Sequence, residues 1–278
     1  MSRLVIALVS LFILSQILGI YTGSVIIQDF YSNPYVGSLV VTSDSSSPIN
    51  ALFFMVYILV GAAAMIFLIR KFGLHIIIFR LMEFALLSTA SSIVFYSFLR
   101  LFFGYEVSTF GGIALGLALA SAKLLRPSFK NLAAVLATAG VGVIFGISLS
   151  PLPVILFLLF LSVYDYISVF KTKHMVEMAE FIVKKDLAFT VTAKEIIDGK
   201  ERRIDLGTGD LIAPVILEVS TLAYMPFSAT IFVFIGAVAS LAVFLFLVWK
   251  KKLVLPALPP LVFGMLVFLL LGKLLGFY

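Results

Sequence analysis

The 278 residues are 62% hydrophobic and only 12% charged, with a mean hydropathy of +1.20. Soluble domains run near 45–50% apolar and about 25% charged, so ordinary soluble domains, disordered tails and disulfide scaffolds are excluded. No Cys is present, which also excludes thiol nucleophiles and Cys-ligated zinc. Whether the net charge of +6 marks a nucleic-acid binder depends on where the charges sit.

A helix crossing about 30 Å of hydrocarbon needs roughly 20 apolar residues. Nine such runs follow one another, near 4–20, 51–69, 74–99, 107–123, 131–149, 151–170, 207–226, 229–249 and 256–276. None alternates with period two, and backbone in lipid is satisfied only in helices or closed barrels. The predicted class is therefore an all-α polytopic membrane protein of nine transmembrane helices, a single domain over 1–278. Arg3 and the 17-residue run after it have the look of a signal peptide, but no A-x-A site follows. An uncleaved first span is predicted.

The cations are segregated. Seventeen of the twenty Lys and Arg lie at the N-terminus or in every second connection: Arg3; Arg70 and Lys71; Lys123, Arg126 and Lys130; eight between 171 and 203; Lys250 to Lys252. Residues 21–50 contain none. The positive-inside rule then predicts a cytoplasmic N-terminus and 171–206 loop, with the C-terminus outside, as an odd number of spans requires. The charge reports topology, so the expected partner is the lipid bilayer and not nucleic acid.

Residues 171–205 hold 15 of the 34 charged residues. Met175, Met178, Ala179, Ile182 and Val183 repeat at helical spacing, which predicts an amphipathic helix along the interface. Beyond it Phe189, Val191 and Ala193 alternate with Thr190, Thr192 and Lys194. Asp198-Gly199 is a turn signal, and Arg202 to Leu206 reads as a returning strand, so a small β-hairpin is predicted before span 7.

Carboxylates within spans are costly and mark candidate functional sites. Four qualify: Glu83, Asp165, Asp210 and Glu218. Glu83, three residues after Arg80, is expected to form a structural ion pair with it. Glu218 lies about 12 Å beyond Asp210 along the helix and stays unassigned. Asp205 abuts Arg202 and Arg203 and is expected to be solvated. Asp165 lies six residues before Lys171 and Asp210 seven after Arg203, each about 9–10 Å from its charged boundary on consecutive, oppositely directed spans. Two carboxylates at one depth suit aspartic hydrolysis, one ionised to take a proton from water and the other protonated to donate to the carbonyl. They equally suit an H⁺ or Na⁺ site in a secondary transporter, and depth alone leaves both open. A structural or chaperone-like protein with a vestigial dyad is a third reading. The repeat between halves that many transporters carry is not evident. Gly112-xxx-Gly116 and Gly142-xxx-Gly146 predict close helix packing. There is no HExxH, no G-x-S-x-G and no phosphate loop, and no metal or cofactor is expected.

The acids sit in Tyr164-Asp165 and Gly207-Thr208-Gly209-Asp210, and Pro256-Ala257-Leu258 follows at the start of span 9. This set resembles the YD, GxGD and PAL motifs on spans six, seven and nine of the presenilin and signal-peptide-peptidase family of intramembrane aspartyl proteases. The resemblance runs over nearly the whole chain. It implies that Asp165 and Asp210 are the catalytic pair, that Tyr164, Gly207, Thr208 and Gly209 flank the substrate, and that Pro256, Ala257 and Leu258 shape the cleft. Thr208 stands where presenilins commonly have Leu. The charge pattern matches the presenilin orientation, and the short loop suggests a minimal microbial member that acts without partner subunits, with a homo-oligomer left open. Expected substrates are transmembrane or signal-peptide segments. Such a helix must unwind to be cut, and its released backbone needs partners. The hairpin strand with Arg202, Arg203, Ile204 and Leu206 is expected to supply them, and Pro256 and Pro259 to impose a non-helical start to span 9.

Overall fold

The computed structural model describes residues 3–30, 32–42, 44–71, 76–172, 181–183, 185–197, 200–251 and 256–278. Met175, Met178 and Ala179 of the expected amphipathic face and the Asp198-Gly199 turn lie outside them. In chain order the helices are α1 (Arg3–Asp29), a short α2 (Pro34–Gly37), α3 (Ile49–Lys71), α4 (Ile76–Leu99), α5 (Tyr105–Leu125), α6 (Lys130–Ser148) and α7 (Pro151–Ile167). Strands β1 (Thr190–Ile197) and β2 (Lys200–Gly207) follow, then α8 (Thr208–Tyr224), α9 (Phe227–Lys251) and α10 (Leu258–Leu274). A long helix thus stands at each of the nine predicted runs. Among the described residues seven helices are long and apolar enough to cross a membrane. The other two, α8 and α10, have 17 residues each.

α1 corrects its expected boundary, running nine residues past position 20 to Asp29. Gly19, Thr22, Gly23 and Ser24 weaken the hydropathy there, which is why the run seems to stop. For the two glycines the physical reason is packing. A Cβ at Gly19 would collide with Val215 and one at Gly23 with Val219. The same two valine side chains also meet Gly142 and Gly146 of α6. The α8 stripe is thus gripped between two glycine pairs, the close approach that small residues allow where lipid supplies no hydrophobic drive. Gly112 and Gly116 play the corresponding part between α5 and the backbone of α4 at Ser88, Ser92 and Tyr96.

Glu83 also departs from expectation. Its partner is not Arg80: Oε1 accepts from Lys123 Nζ of α5 and from the backbone N–H of Ala188. Lys123 Nζ further donates to the carbonyl of Asp186, at 3.2 Å. Both side chains are buried, so a charge on α4 needs an opposite charge at hand. The segment entering β1 is thereby tied to α4 and α5. At the far end of the bundle Asp29 holds Arg100 through two bonds of 2.6 and 2.9 Å and accepts from Tyr96 at 2.6 Å, joining α1 to the end of α4.

The two strands form one antiparallel sheet, with Val191 opposite Leu206, Thr192 opposite Asp205 and Ile197 opposite Lys200. Val191, Ala193 and Leu206 are buried in the helical core, as the alternation predicts. The returning strand is longer than expected at both ends, starting at Lys200 and continuing through Gly207 into α8 without a loop.

Candidate active site

Asp165 lies near the end of α7, 6% exposed, where the helix widens into a π-helical turn at Ser168–Thr172. Ser168 Oγ donates to the Asp165 carbonyl at 2.9 Å. The carboxylate receives the N–H of Leu258, at 3.3 Å from Oδ2. This bond follows from the sequence of α10. Leu258 is its first residue, and Pro259 and Pro260 have no N–H to satisfy, so Leu258 carries the exposed donor of the helix start. The carboxylate answers it, at the end of the helix that favours negative charge. The expected role for Pro259 changes accordingly: it lies inside the first turn of α10, where proline is well tolerated, and Pro256 alone precedes the helix. Pro256, Ala257 and Leu258 are all buried.

Asp210 belongs to the first turn of α8. Its carboxylate lies beside Gly207 and within electrostatic reach of Asp165. A Cβ at Gly207 would stand 3.3 Å from Asp210 Oδ2, so glycine there lets strand and carboxylate approach. Gly209 differs. It is exposed, and nothing lies within 4 Å of its Cβ direction. The space beside Asp210 is open on that side. Thr208 is tied back to Phe189 by its N–H at 3.0 Å and its hydroxyl at 3.1 Å. It lines a small apolar cavity with Leu86, Thr138 and Ile212. Four residues after Asp210, Pro214 lies inside α8. It cannot donate to the Asp210 carbonyl, which removes one helical bond from the turn that carries the acid.

The remaining predicted residues divide. Tyr164 is half-buried beside Asp165. Arg202 is exposed, and Arg203 forks onto Asp205 at 2.6 and 2.7 Å. Asp205, expected to be solvated, is half-buried and also accepts from the Thr192 hydroxyl. Ile204 and Leu206 pack toward the core. Glu218 is wholly buried. Neither carboxyl oxygen meets a hydrogen-bond partner among the described residues, while its carbonyl accepts from Thr221 Oγ1. Sequence reasoning missed the Leu258 N–H, because a backbone donor leaves no residue-type signal. It also missed Lys130 and Asn131, which bind the hairpin. No group of three or more metal-ligating side chains occurs among the described residues.

A helical bundle with two interacting acids at one end and a proline-opened helix against one of them defines a polytopic membrane protein with an acidic site. The model of the signal-peptide peptidase and presenilin aspartyl protease family matches residues 9–276. The chain belongs to that family, and its activity is intramembrane aspartyl proteolysis. Two solved structures are similar over nearly all of their length, both described as a presenilin family intramembrane aspartate protease. The one in the C222 space group has 29% identity and a TM-score of 0.71, covering 98% of this chain and 99% of its own. The one in the P2 space group has 30% identity and a TM-score of 0.67, covering 95% and 97%. A comparison with curated proteins gives no match.

Proposed function

We propose that the chain cuts transmembrane or signal-peptide segments with Asp165 and Asp210 as its catalytic pair. The observation that carries this is the meeting of three distant segments: Asp210 senses Asp165, and Asp165 in turn holds the N–H of Leu258. One carboxylate, ionised, takes a proton from water as the oxygen attacks the scissile carbonyl. The other, protonated, gives its proton to the carbonyl oxygen. The tetrahedral species then collapses as the amide nitrogen is protonated, and the C–N bond breaks. Neighbouring carboxylates share one proton and titrate as a unit. The rate should therefore fall on both sides of an optimum, since losing the shared proton removes the acid and adding a second removes the base. A single sigmoid in kcat/KM against pH would contradict a dyad.

In this reading nine spans cross the bilayer as one domain. The N-terminus and the hairpin are cytoplasmic and the C-terminus is outside, as the cation count supports. The unwound substrate adds as a strand to the hairpin, with Pro256 to Leu258 on the other side of the cleft, and neither nucleic acid nor partner subunits are needed. Deleting 200–204 should abolish cleavage. The direct test is purified protein in detergent with a single-span peptide: Asp165→Asn and Asp210→Asn must each remove the cuts. Ion-driven uptake in liposomes without cutting would return the transporter reading, which no observation favours.

A further inference from the structure

β1 and β2 each have one edge that does not face the other strand, and the two edges are treated differently. The side chain of Asn131, in the first turn of α6, lies against the outer edge of β1. Its Nδ2 donates to the carbonyl of Thr192 at 2.8 Å, and its Oδ1 accepts the N–H of Thr192 at 2.9 Å. The amide thus makes both bonds that a neighbouring strand would make at that residue. The Thr192 side chain is clamped as well: Lys130 Nζ donates to Oγ1 at 3.2 Å, and Oγ1 donates to Asp205 Oδ1 at 2.5 Å.

The register carries this to the other edge. Thr192 stands opposite Asp205, and in an antiparallel pair directly opposed residues point their main chains both together or both apart. Thr192 points away from β2, so Asp205 points away from β1. The inward parity agrees at Phe189, whose carbonyl receives the N–H of Thr208. Two residues on, Gly207 shares the outward parity of Asp205, and a Cβ there would stand 3.3 Å from Asp210 Oδ2. A strand laid along Asp205 therefore runs directly to Asp210.

We propose that Asn131 is a positioning residue for cleavage. By satisfying the outer edge of β1 it fixes the hairpin against α6 and leaves the β2 edge at Asp205 as the place where an unwound substrate pairs, so that one peptide bond is presented to Asp210. This rests on the strand-addition reading above. An edge left unpaired is a template for any extended chain, so exposing the β1 edge offers the substrate a second, unproductive berth and lets the hairpin shift.

The experiment is cleavage of a single-span peptide in detergent, with products identified by mass spectrometry and each variant checked for its thermal midpoint. Asn131→Ala should raise KM about tenfold with kcat within about twofold, and should add cuts one or two residues from the main one, the response to a small misplacement of the bound chain. A folded Asn131→Ala with wild-type KM and a single cut would overturn the proposal. If that variant does not fold, Asn131→Asp, which keeps the acceptor and loses the donor, is judged by the same two readouts. Asp205→Pro against Asp205→Ala tests the underlying reading separately, because only proline removes the outward N–H. Strand addition predicts that the proline variant cleaves at least about tenfold more slowly than the alanine variant. Equal rates would sink strand addition itself, whereas failure at Asn131 alone would leave strand addition standing and discard this role for Asn131.

Discussion

α3 and α8 are both helices of a membrane bundle, yet they meet opposite surroundings. α3 turns most of its surface outward, with Tyr57 71% and Val60 62% exposed. α8 is buried at Leu211 and continuously from Ala213 to Thr221, a stretch that includes Glu218, Ser220 and Thr221. α3 needs apolar side chains because lipid is its solvent. α8 is enclosed by protein, so it can be short, carry polar groups and hold a proline. Hydropathy measures lipid exposure, and the helix that bears Asp210 is therefore not among the most hydrophobic. Its placement depends on shape, on Val215 and Val219 seated between glycines of α1 and α6.

The enclosed side of this comparison should be fragile, first where charge is enclosed. Lys123→Met removes the cation from Glu83, which is wholly buried. Stripping one partner from a buried pair costs about 3–5 kcal/mol, and unfolding in detergent should show a loss of that order. A change under about 1 kcal/mol would mean that the Ala188 N–H alone satisfies the carboxylate.

Next comes the glycine grip. Gly19→Ala and Gly142→Ala should each cost about 1–3 kcal/mol by overpacking. Their rescue should differ. At Gly19 the added methyl meets Val215 Cγ1, with Cβ 3.4 Å away, whereas at Gly142 it stands 2.5 Å from Val215 Cβ itself. Val215→Ala should therefore relieve Gly19→Ala and leave Gly142→Ala destabilised. Equal rescue of both, measured as thermal midpoints of the double variants, would show that α8 shifts as a body and is not gripped.

The same contrast explains what was legible in the sequence. The seven long apolar helices could be read because lipid imposes length and composition on a helix, and the hairpin because Val191 and Ala193 alternate with Thr192 and Lys194 against a buried face. The family likeness rested on the acids, glycines and proline of the three motifs. What could not be read were pairings between segments far apart in sequence. Arg80 is the local partner that spacing offers Glu83, but Lys123 is the one that folding brings. α1 was cut short at position 20 because its small residues look like a helix end when their purpose is contact with α8. The Asn131 amide matches the main chain of Thr192, 61 residues away, and no spacing rule connects them.

The lipid-facing side of the comparison gives the smallest effect and the sharpest sign. Gly61 of α3 has nothing within 4 Å of its Cβ direction. An added methyl there collides with no protein atom, and the unfolded chain loses the conformational freedom that glycine gives it. That term favours alanine by up to about 1 kcal/mol in a helix interior. Gly61→Ala should thus be neutral or slightly stabilising, while Gly19→Ala, the identical chemical change in a helix of similar hydropathy, should be destabilising. Both are read in the same thermal unfolding experiment, so differences in detergent or expression cancel. If Gly61→Ala destabilised as much as Gly19→Ala, α3 would have to pack against protein along its exposed face, and the division between lipid-solvated and protein-enclosed helices would fail at that position.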